Sequence, residues 1–341
     1  MAEPETGTQT SPPVSVRKRV ERVAGRVALR LLVAPIRALP LPLARGAGCA
    51  LGAFAYRALG RYRRVALKNL ALVYGGECDA KEQARMARAV FRHFGLMAAE
   101  FVKTPGLGPE QIARMVTVEG EENLKCALEM DKGVLLITGH FGNWEMMARW
   151  LAIHGYPLNV VARDARDPAA TKLLADTRTG SGANVLYRGN SARAVLQCLK
   201  KKEIVGLLPD QNAADVFVPF FGLPTGTVDG PAVIHLKTGA PLLFSWCVRD
   251  SRGGFAIHFE PPVVVTPTGD RAVDVAEVMT LINAHLEARI RLYPTQWLWL
   301  HNRWKASPGV FPDGAENAKE LKTPYHKYQQ EMQNRSDTAD R

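Results

Sequence analysis

Between residues 133 and 248, short apolar runs alternate with segments whose apolar side chains recur at helical spacing. The clearest run lies between Gly133 and Gly139, and a short continuous apolar run of this kind is typical of a buried parallel strand. Further strands are predicted at Leu158 to Ala162, Asn184 to Tyr187, Ile204 to Leu208 and Pro241 to Val248. This alternation predicts an α/β fold in which helices cover both faces of a mostly parallel central sheet.

The flanking regions have different patterns. Before the alternating region, helices are predicted at Val16 to Val33, Leu43 to Leu59, Arg64 to Val73 and Lys81 to Lys103. After it, Phe255 to Phe259 and Val263 to Val265 are predicted as later strands that can be antiparallel, followed by a helix over Val273 to Leu292. We therefore expect a flexible tail at 1–13, a basic amphipathic helical region at 14–104, the α/β domain at 105–305 and a polar tail at 306–341.

Basic charge is concentrated in this helical region. The chain has a formal net charge of +11, and residues 14–68 contain thirteen basic side chains against the single acidic Glu21, a net +12. The rest of the chain is therefore about neutral, which argues against a nucleic-acid-binding protein. Basic residues interleaved with Val, Leu and Ala indicate helices that bind an anionic membrane surface.

The longest apolar stretch in this region, Val27 to Tyr56, is interrupted by three arginines and three prolines. A spanning helix needs about twenty consecutive apolar residues, and a central Arg costs about 2.5 kcal/mol or more. We therefore expect short helices that lie on a membrane, which is peripheral or monotopic attachment.

The segment Thr-Gly-His-Phe-Gly-Asn-Trp-Glu, from Thr138 to Glu145, lies where the first buried strand ends and a helix begins. Ligands bind at this carboxyl edge of a parallel sheet. Asn143 is predicted to cap the helix, which places Glu145 in its first turn and His140 in the preceding loop. If the loop brings the two together, Glu145 orients the imidazole, and the other ring nitrogen can take a proton from a hydroxyl. The alternative is a capping loop with an incidental His140 and a Glu145 favoured by the helix dipole.

Asp210 and Gln211 follow the predicted strand Ile204 to Leu208. They therefore lie at the same edge of the sheet, and near His140 if the two strands are close together. A turn or helix cap is an equally good interpretation of Asp210.

Other classes of site lack their motifs in this sequence. There is no Gly-x-Ser-x-Gly elbow of a serine hydrolase, no phosphate-binding Gly-x-x-x-x-Gly-Lys-Ser/Thr loop and no Gly-x-Gly-x-x-Gly fingerprint. The five cysteines are widely separated and the histidines do not have metal-ligand spacing, so neither a disulfide framework nor a zinc site is indicated. We expect neither a metal nor a cofactor.

Gly139 to Glu145 closely resembles the His-x4-Asp/Glu active-site motif of the bacterial late acyltransferases of lipid A biosynthesis. The other segments that resemble this family, in chain order, are Arg64 to Leu70, Arg163, Pro209 to Asn212, Val218 to Gly222, Lys237 to Pro241 and Pro294 to Arg303. The resemblance covers roughly residues 20 to 306. The Pro-Glu-Gly block of the related glycerophospholipid acyltransferases is absent from the sequence, which disfavours that branch.

The resemblance implies an O-acyltransferase with a catalytic pair, His140 and Glu145. The residues implied to bind substrate are Arg163, Asp210, Gln211 and Asn143. The tetrahedral oxyanion needs a positive or N–H donor, for which Arg163 and the backbone amides of 139–143 are candidates. Arg178 could also bind phosphate or the thioester carbonyl, but an exposed Arg is usually a solvated charge, and only Arg163 is retained because the family pattern includes it.

The implied donor is a thioester of acyl carrier protein or coenzyme A, and the implied acceptor is a hydroxyl of a lipid A precursor. The implied location is the cytoplasmic face of the bacterial inner membrane. Another anionic lipid, such as a phosphoinositol mannoside or a lysophospholipid, is an alternative acceptor. A non-catalytic lipid-binding protein is an alternative of another class, against which the retained His140, Glu145 and Asp210-Gln211 argue.

Overall fold

The computed structural model of the chain describes residues 33–162, 168–187 and 191–307. Its strands are β1 Val116–Glu119, β2 Val134–Ile137, β3 Leu158–Ala162, β4 Asn184–Tyr187, β5 Ile204–Leu207, β6 Val216–Phe220, β7 Leu223–Thr227, β8 Leu242–Arg249 and β9 Phe255–Phe259. Its α-helices are α1 Leu41–Ala58, α2 Gly60–Tyr74, α3 Ala80–Lys103, α4 Pro109–Met115, α5 Glu121–Glu129, α6 Trp144–Ile153, α7 Pro168–Gly180, α8 Ser191–Lys200, α9 Gly230–Thr238 and α10 Arg271–Leu292. The helix predicted near Val16 and both predicted tails lie almost wholly outside the described residues.

A seven-stranded sheet with the order β1-β9-β8-β2-β5-β3-β4 forms the centre of the α/β domain. The five strands from β8 to β4 are mutually parallel, whereas β9 is antiparallel to β8 and pairs in parallel with β1. Strand β5 lies between β2 and β3, with Ile137 opposite Leu207. The segments that follow β2 and β5 therefore meet at one edge of the sheet.

Successive residues of β2 enter different hydrophobic cores. Leu135 and Ile137 pack into the larger cluster, to which α3 and α10 contribute, while Val134 and Leu136 pack into the cluster that includes residues of α5 and α6. All four residues of β2 are buried. The mostly parallel sheet with helices on both faces is thus as the sequence predicts.

Helices α1 and α3 cross at very short distance, because glycines lie at the crossing. A Cβ atom at Gly48 would lie 2.5 Å from the carbonyl oxygen of Gly95, and one at Gly52 would lie 2.2 Å from that of Phe91. Larger residues at these positions would force the two helices apart. Among the described residues, no helix combines the length and the apolar character needed to cross a membrane.

The sequence prediction misses β1 and the two-stranded β6–β7 sheet. In that hairpin Pro219 lies opposite Pro224, and because proline has no N–H to donate, the segment does not have the pattern of a regular strand. Conversely, the strand predicted at Val263 to Val265 is reduced to an isolated bridge between Val263 and Leu242.

Candidate active site

His140 and Asp210 form the centre of the site at the carboxyl edge of β2 and β5. The imidazole Nδ1 of His140 lies 2.7 Å from Oδ1 of Asp210, and the backbone N–H of His140 donates to Oδ2 at 2.8 Å. The carboxylate therefore holds both the backbone and the ring of His140. With a proton on Nδ1, the neutral imidazole can accept another proton at Nε2.

A tryptophan completes the surroundings of this carboxylate. The indole Nε1–H of Trp297 donates to Oδ2 of Asp210 at 2.9 Å. Burial alone would raise the pKa of Asp210, but the charge of His140 and the hydrogen bonds from His140 and Trp297 outweigh it and lower the pKa to about 2. Asp210 is therefore a buried carboxylate that stays ionised near neutral pH.

Glu145 has different partners from those expected. Its Oε1 accepts hydrogen bonds from Nη2 of Arg178 at 2.7 Å and from Nε of Arg178 at 3.0 Å, and the neighbouring Trp144 indole donates to the same oxygen at 3.0 Å. The carboxylate that contacts the imidazole of His140 is therefore that of Asp210 and not that of Glu145. The reason is geometric, because the first turn of α6 directs the Glu145 carboxylate towards α7, where Arg178 lies.

Asn143 also differs from its expected role in binding substrate. It caps α6 as predicted, with Oδ1 accepting from the backbone N–H of Met146, while Nδ2 donates to Glu100 at 2.8 Å. Asn143 is completely buried, and both ends of its amide are bonded within the protein. We therefore assign it to holding the loop.

Glu100 of α3 links the N-terminal helices to this loop. Its buried carboxylate accepts from Asn143, from Nε of Arg45 at 2.7 Å and from Arg249 at the end of β8. Two turns earlier in α3, Nε2 of His93 donates to the carbonyl of Gly142 at 3.1 Å. Because a buried charge that loses its partner costs about 3–5 kcal/mol, this network fixes the loop firmly against α3.

Gly142 can only be glycine in this arrangement. Its φ is +61°, and a Cβ atom would lie 1.9 Å from the carbonyl oxygen of Cys247. Its N–H donates to the carbonyl of Gln296 at 2.8 Å, and the next amide, that of Asn143, donates to Cys247 at 2.7 Å. The loop between His140 and α6 is therefore fastened to the sheet on one side and to the segment after α10 on the other.

A cavity of about 450 Å³ opens beside His140, between the sheet and α6. Its polar lining is Thr138, His140, Trp144, Glu145, Arg178, Gln211 and Asn212. Its other lining residues are almost all apolar: Leu136, Met147, Ala148, Leu151, Leu158, Val160, Val161, Leu174, Gly206, Leu208, Pro209 and Val228. The amide nitrogen of Gln211 lies 3.5 Å from Nε2 of His140. The cavity thus joins a polar end that contains His140 to an apolar interior.

The six catalytic and substrate-binding residues proposed from the sequence do not all line the cavity. His140, Glu145 and Gln211 line the cavity, Asp210 lies behind His140, and Asn143 is buried in the loop. The remaining one, Arg163, lies outside the described residues.

Sequence reasoning missed the contribution of Trp297, which it placed only within a segment that resembles the family. It also missed His93 and Glu100, which hold the loop from α3. Glu100 could have been found from its position, because it is an acidic residue on the apolar face of a predicted helix. A charge that is buried in this way requires polar partners.

Comparison with known proteins identifies the family of the chain. The profile of the family described as bacterial lipid A biosynthesis acyltransferase matches residues 14–306. The chain is 28% identical to the lipid A biosynthesis palmitoleoyltransferase of Escherichia coli (strain K12) over 275 residues, 79% of this chain and 87% of the relative. It is 28% identical to the lipid A biosynthesis lauroyltransferase of the same organism over 279 residues, 80% and 89% of the two chains.

A relative from another organism is similar to the same degree. The phosphatidylinositol mannoside acyltransferase of Mycobacterium tuberculosis (strain CDC 1551 / Oshkosh) is 28% identical over 248 residues, 70% of this chain and 76% of the relative. All three relatives are named as acyl-transferring enzymes, and the family profile spans both the N-terminal helices and the sheet. The chain is therefore an O-acyltransferase that belongs to the bacterial lipid A biosynthesis acyltransferase family.

Proposed function

We propose that this enzyme transfers a fatty acyl group from a thioester donor to a hydroxyl of an anionic glycolipid, with His140 as the general base. The observation that carries the proposal is the position of His140. Its Nδ1 is held by the buried Asp210, and it lines a cavity whose interior is apolar. A cavity of about 450 Å³ is within the usual range for small-molecule sites, and its lining suits an acyl chain.

The proton transfer follows from the tautomer of the imidazole. Nδ1–H donates to Asp210, so Nε2 takes the proton of the acceptor hydroxyl as its oxygen attacks the thioester carbonyl. A carbon–oxygen bond forms, the carbon–sulfur bond breaks, and the imidazolium returns its proton to the departing thiolate. Asp210 stabilises the transient imidazolium. The reaction needs no covalent intermediate with the enzyme.

Arg178 is our candidate for stabilising the tetrahedral oxyanion or an acceptor phosphate. The backbone amides of His140, Gly142 and Asn143 already donate within the protein, so these three cannot form the oxyanion hole. Arg178 lines the cavity and is held in a two-nitrogen interaction by Glu145. Glu145 therefore acts through Arg178 as a positioning residue. Arg163, which the family resemblance indicates, stays a second candidate for stabilising the oxyanion.

For the donor we propose acyl carrier protein, an acidic partner that suits the basic N-terminal region, with acyl-coenzyme A as the alternative. For the acceptor we propose a lipid A precursor, because two of the relatives are named for lipid A biosynthesis. A phosphatidylinositol mannoside is the alternative acceptor that the third relative's name suggests. A lysophospholipid is a further alternative, but it lacks such support.

We propose that the enzyme acts at the cytoplasmic face of the inner membrane, which it binds through α1, α2 and α3. Four arginines surround Tyr56 there, namely Arg57, Arg63, Arg88 and Arg92. Within the described part of the chain, none of the four forms an ion pair with a carboxylate. Exposed apolar side chains lie on α1 and α2 and at the junction between them: Leu43, Leu51, Phe54, Leu59 and Tyr62. Basic and apolar groups side by side suit an anionic bilayer surface.

The direct test is mass spectrometry of membrane lipids from cells with and without the gene, complemented with wild type or with His140→Ala. An acyltransferase produces a lipid that gains one acyl chain only when the wild-type gene is present. A matched control is His154→Ala, which removes an exposed histidine of the same domain. If His140→Ala restores the acylated lipid as well as wild type, the non-catalytic lipid-binding alternative is favoured.

A further inference from the structure

Gly206 is a glycine that the backbone of β5 does not require. It lies in the middle of the strand, and it is not among the described glycines with positive φ, so an L residue can adopt its conformation. A Cβ atom there would lie 3.5 Å from Leu158 and 3.5 Å from Val160, which is ordinary van der Waals contact. Glycine weakens the interior of a strand, and it often marks a place where a ligand approaches closely.

The register of the sheet shows where the missing side chain would be. Gly206 pairs with Leu136 of β2 on one side and with Val160 of β3 on the other. All three residues line the cavity beside His140. Register partners in neighbouring strands point to the same face, so the absent side chain leaves a gap between Leu136 and Val160 on the face that α6 covers.

The gap lies along the path from the polar end of the cavity to its apolar interior. Leu208, which directly follows β5 and lines the cavity, is two residues nearer to Asp210 than Gly206, whereas Leu158 of β3 is two residues farther from that edge than Val160. At about 3.3 Å per residue, each step of two residues spans about 7 Å. Across the gap, the wall is formed by Met147, Ala148 and Leu151 of α6. A side chain at position 206 would therefore narrow the cavity between these two levels.

We propose that Gly206 sets the length of acyl chain that the enzyme accepts, because its missing side chain lets the chain continue between the sheet and α6 as far as Leu158. This inference rests on the proposed acyl transfer and assigns a specificity-determining role to one residue of that site. A short acyl chain ends in the cavity before it reaches Gly206, whereas a long acyl chain extends past Gly206.

The test uses the variants Gly206→Ala and Gly206→Val with a series of thioester donors from octanoyl to palmitoyl. Each added carbon at position 206 should shift the preferred donor to a shorter chain. For Gly206→Val, kcat/KM with the longest accepted donor should fall about tenfold or more relative to a short donor, as removal of methylene-sized space in an apolar pocket does. Gly206→Ala keeps the comparison possible if the valine variant folds poorly, since its Cβ atom fits without a clash.

Val205→Ile is the matched control, because it adds one carbon to the same strand but on the opposite face, in the other core. It should leave the ratio of long-chain to short-chain rates unchanged. Equal ratios in wild type, Gly206→Ala and Gly206→Val, with rates that fall uniformly if at all, would overturn the inference. Failure of wild type to transfer any acyl chain would instead contradict the proposed function.

Discussion

Nδ1 of His140 lies 2.7 Å from Oδ1 of Asp210, a residue seventy positions later in the chain. The two residues meet because β5 is inserted next to β2, so that the segments after both strands share one edge of the sheet. Asp210 is fully buried and also accepts from Trp297. The pair therefore has the geometry of a general base whose tautomer is fixed by a carboxylate. The neighbouring Glu145 contacts Arg178 instead.

Replacing Asp210 by Asn should impair catalysis strongly while the cavity keeps its shape. The amide cannot stabilise the imidazolium, and it can favour the wrong tautomer of His140, so kcat should fall by about 10²–10⁴. The measurement is the pH–rate profile of Asp210→Asn beside that of Glu145→Gln. Equal losses in the two variants would contradict the assignment of Asp210 as the residue that orients His140.

Arg178 should matter for the transition state beyond its ion pair with the buried Glu145. Arg178→Gln removes the proposed donor to the oxyanion, and loss of such a donor lowers kcat by about 10²–10³. Lys172→Gln is a control on the same helix, because Lys172 is exposed and its ion pair within the described residues is with Asp176 one turn away. Steady-state kinetics measure both variants.

Glu145→Gln should give a smaller loss than Arg178→Gln, and the double variant should be no worse than Arg178→Gln alone, because Glu145 acts through Arg178. Additive losses in the double variant would show that the two residues act separately.

The sequence predicted the β2 edge and its motif, because an apolar strand followed by glycines and a helix cap is a local pattern. It also placed Asp210 at the same edge, but the direct pairing of β2 with β5 depends on strand order, which no local pattern specifies. The partner of Glu145 could not be predicted for a related reason. Its direction depends on how α6 and α7 pack, and the five-residue spacing to His140 is compatible with either arrangement.

The role of α3 in the site was likewise beyond local patterns. The local pattern predicts only that Glu100 and His93 lie in a helix. Their contacts with Asn143 and Gly142 are formed only when α3 packs against the end of β8. These long-range polar contacts make the N-terminal helices part of the support of the catalytic loop.

His93 should make the folded state less stable in mild acid. Its burial, together with the charge of Arg249, lowers the pKa of His93 to about 4, against about 6.5 for an unfolded chain. Between these values the unfolded state binds the proton more readily, so the free energy of unfolding falls as pH drops below about 6.5 and levels off below about 4. The loss from this group should be about 2 kcal/mol between pH 7 and pH 5.

Denaturant unfolding of wild type and His93→Gln at both pH values measures this effect. Glutamine keeps a donor for the carbonyl of Gly142 but does not titrate. The stability difference between the two pH values should therefore be smaller in the variant. An equal pH dependence in both proteins would show that His93 is not the responsible group.

Membrane binding should depend on the arginines around Tyr56. Arg57→Gln, Arg88→Gln and Arg92→Gln together remove three charges, each worth about 1 kcal/mol near an anionic leaflet, so binding to anionic liposomes should weaken about a hundredfold. The matched control removes three charges from exposed residues of α8 and the turn after it, namely Arg193, Lys200 and Lys201.

Flotation with anionic and neutral liposomes, at low and high salt, separates the electrostatic part from apolar insertion, which salt does not remove. Equal flotation by the two triple variants would place the membrane contact elsewhere. Substitutions are a better test than deletion of residues 1–60, since removal of α1 would expose the glycine crossing on α3 and the Arg45 contact with Glu100.

The central claim is that Nε2 of His140 takes the proton from the lipid hydroxyl. Its most direct test is the rate of acyl transfer by purified His140→Ala under saturating donor, compared with wild type and with His154→Ala. We predict a fall of about 10²–10⁴ in kcat for His140→Ala, with the fold retained but a lower unfolding midpoint because the buried Asp210 loses a partner, and wild-type rates for the control. Turnover of His140→Ala at the wild-type rate would contradict the mechanism.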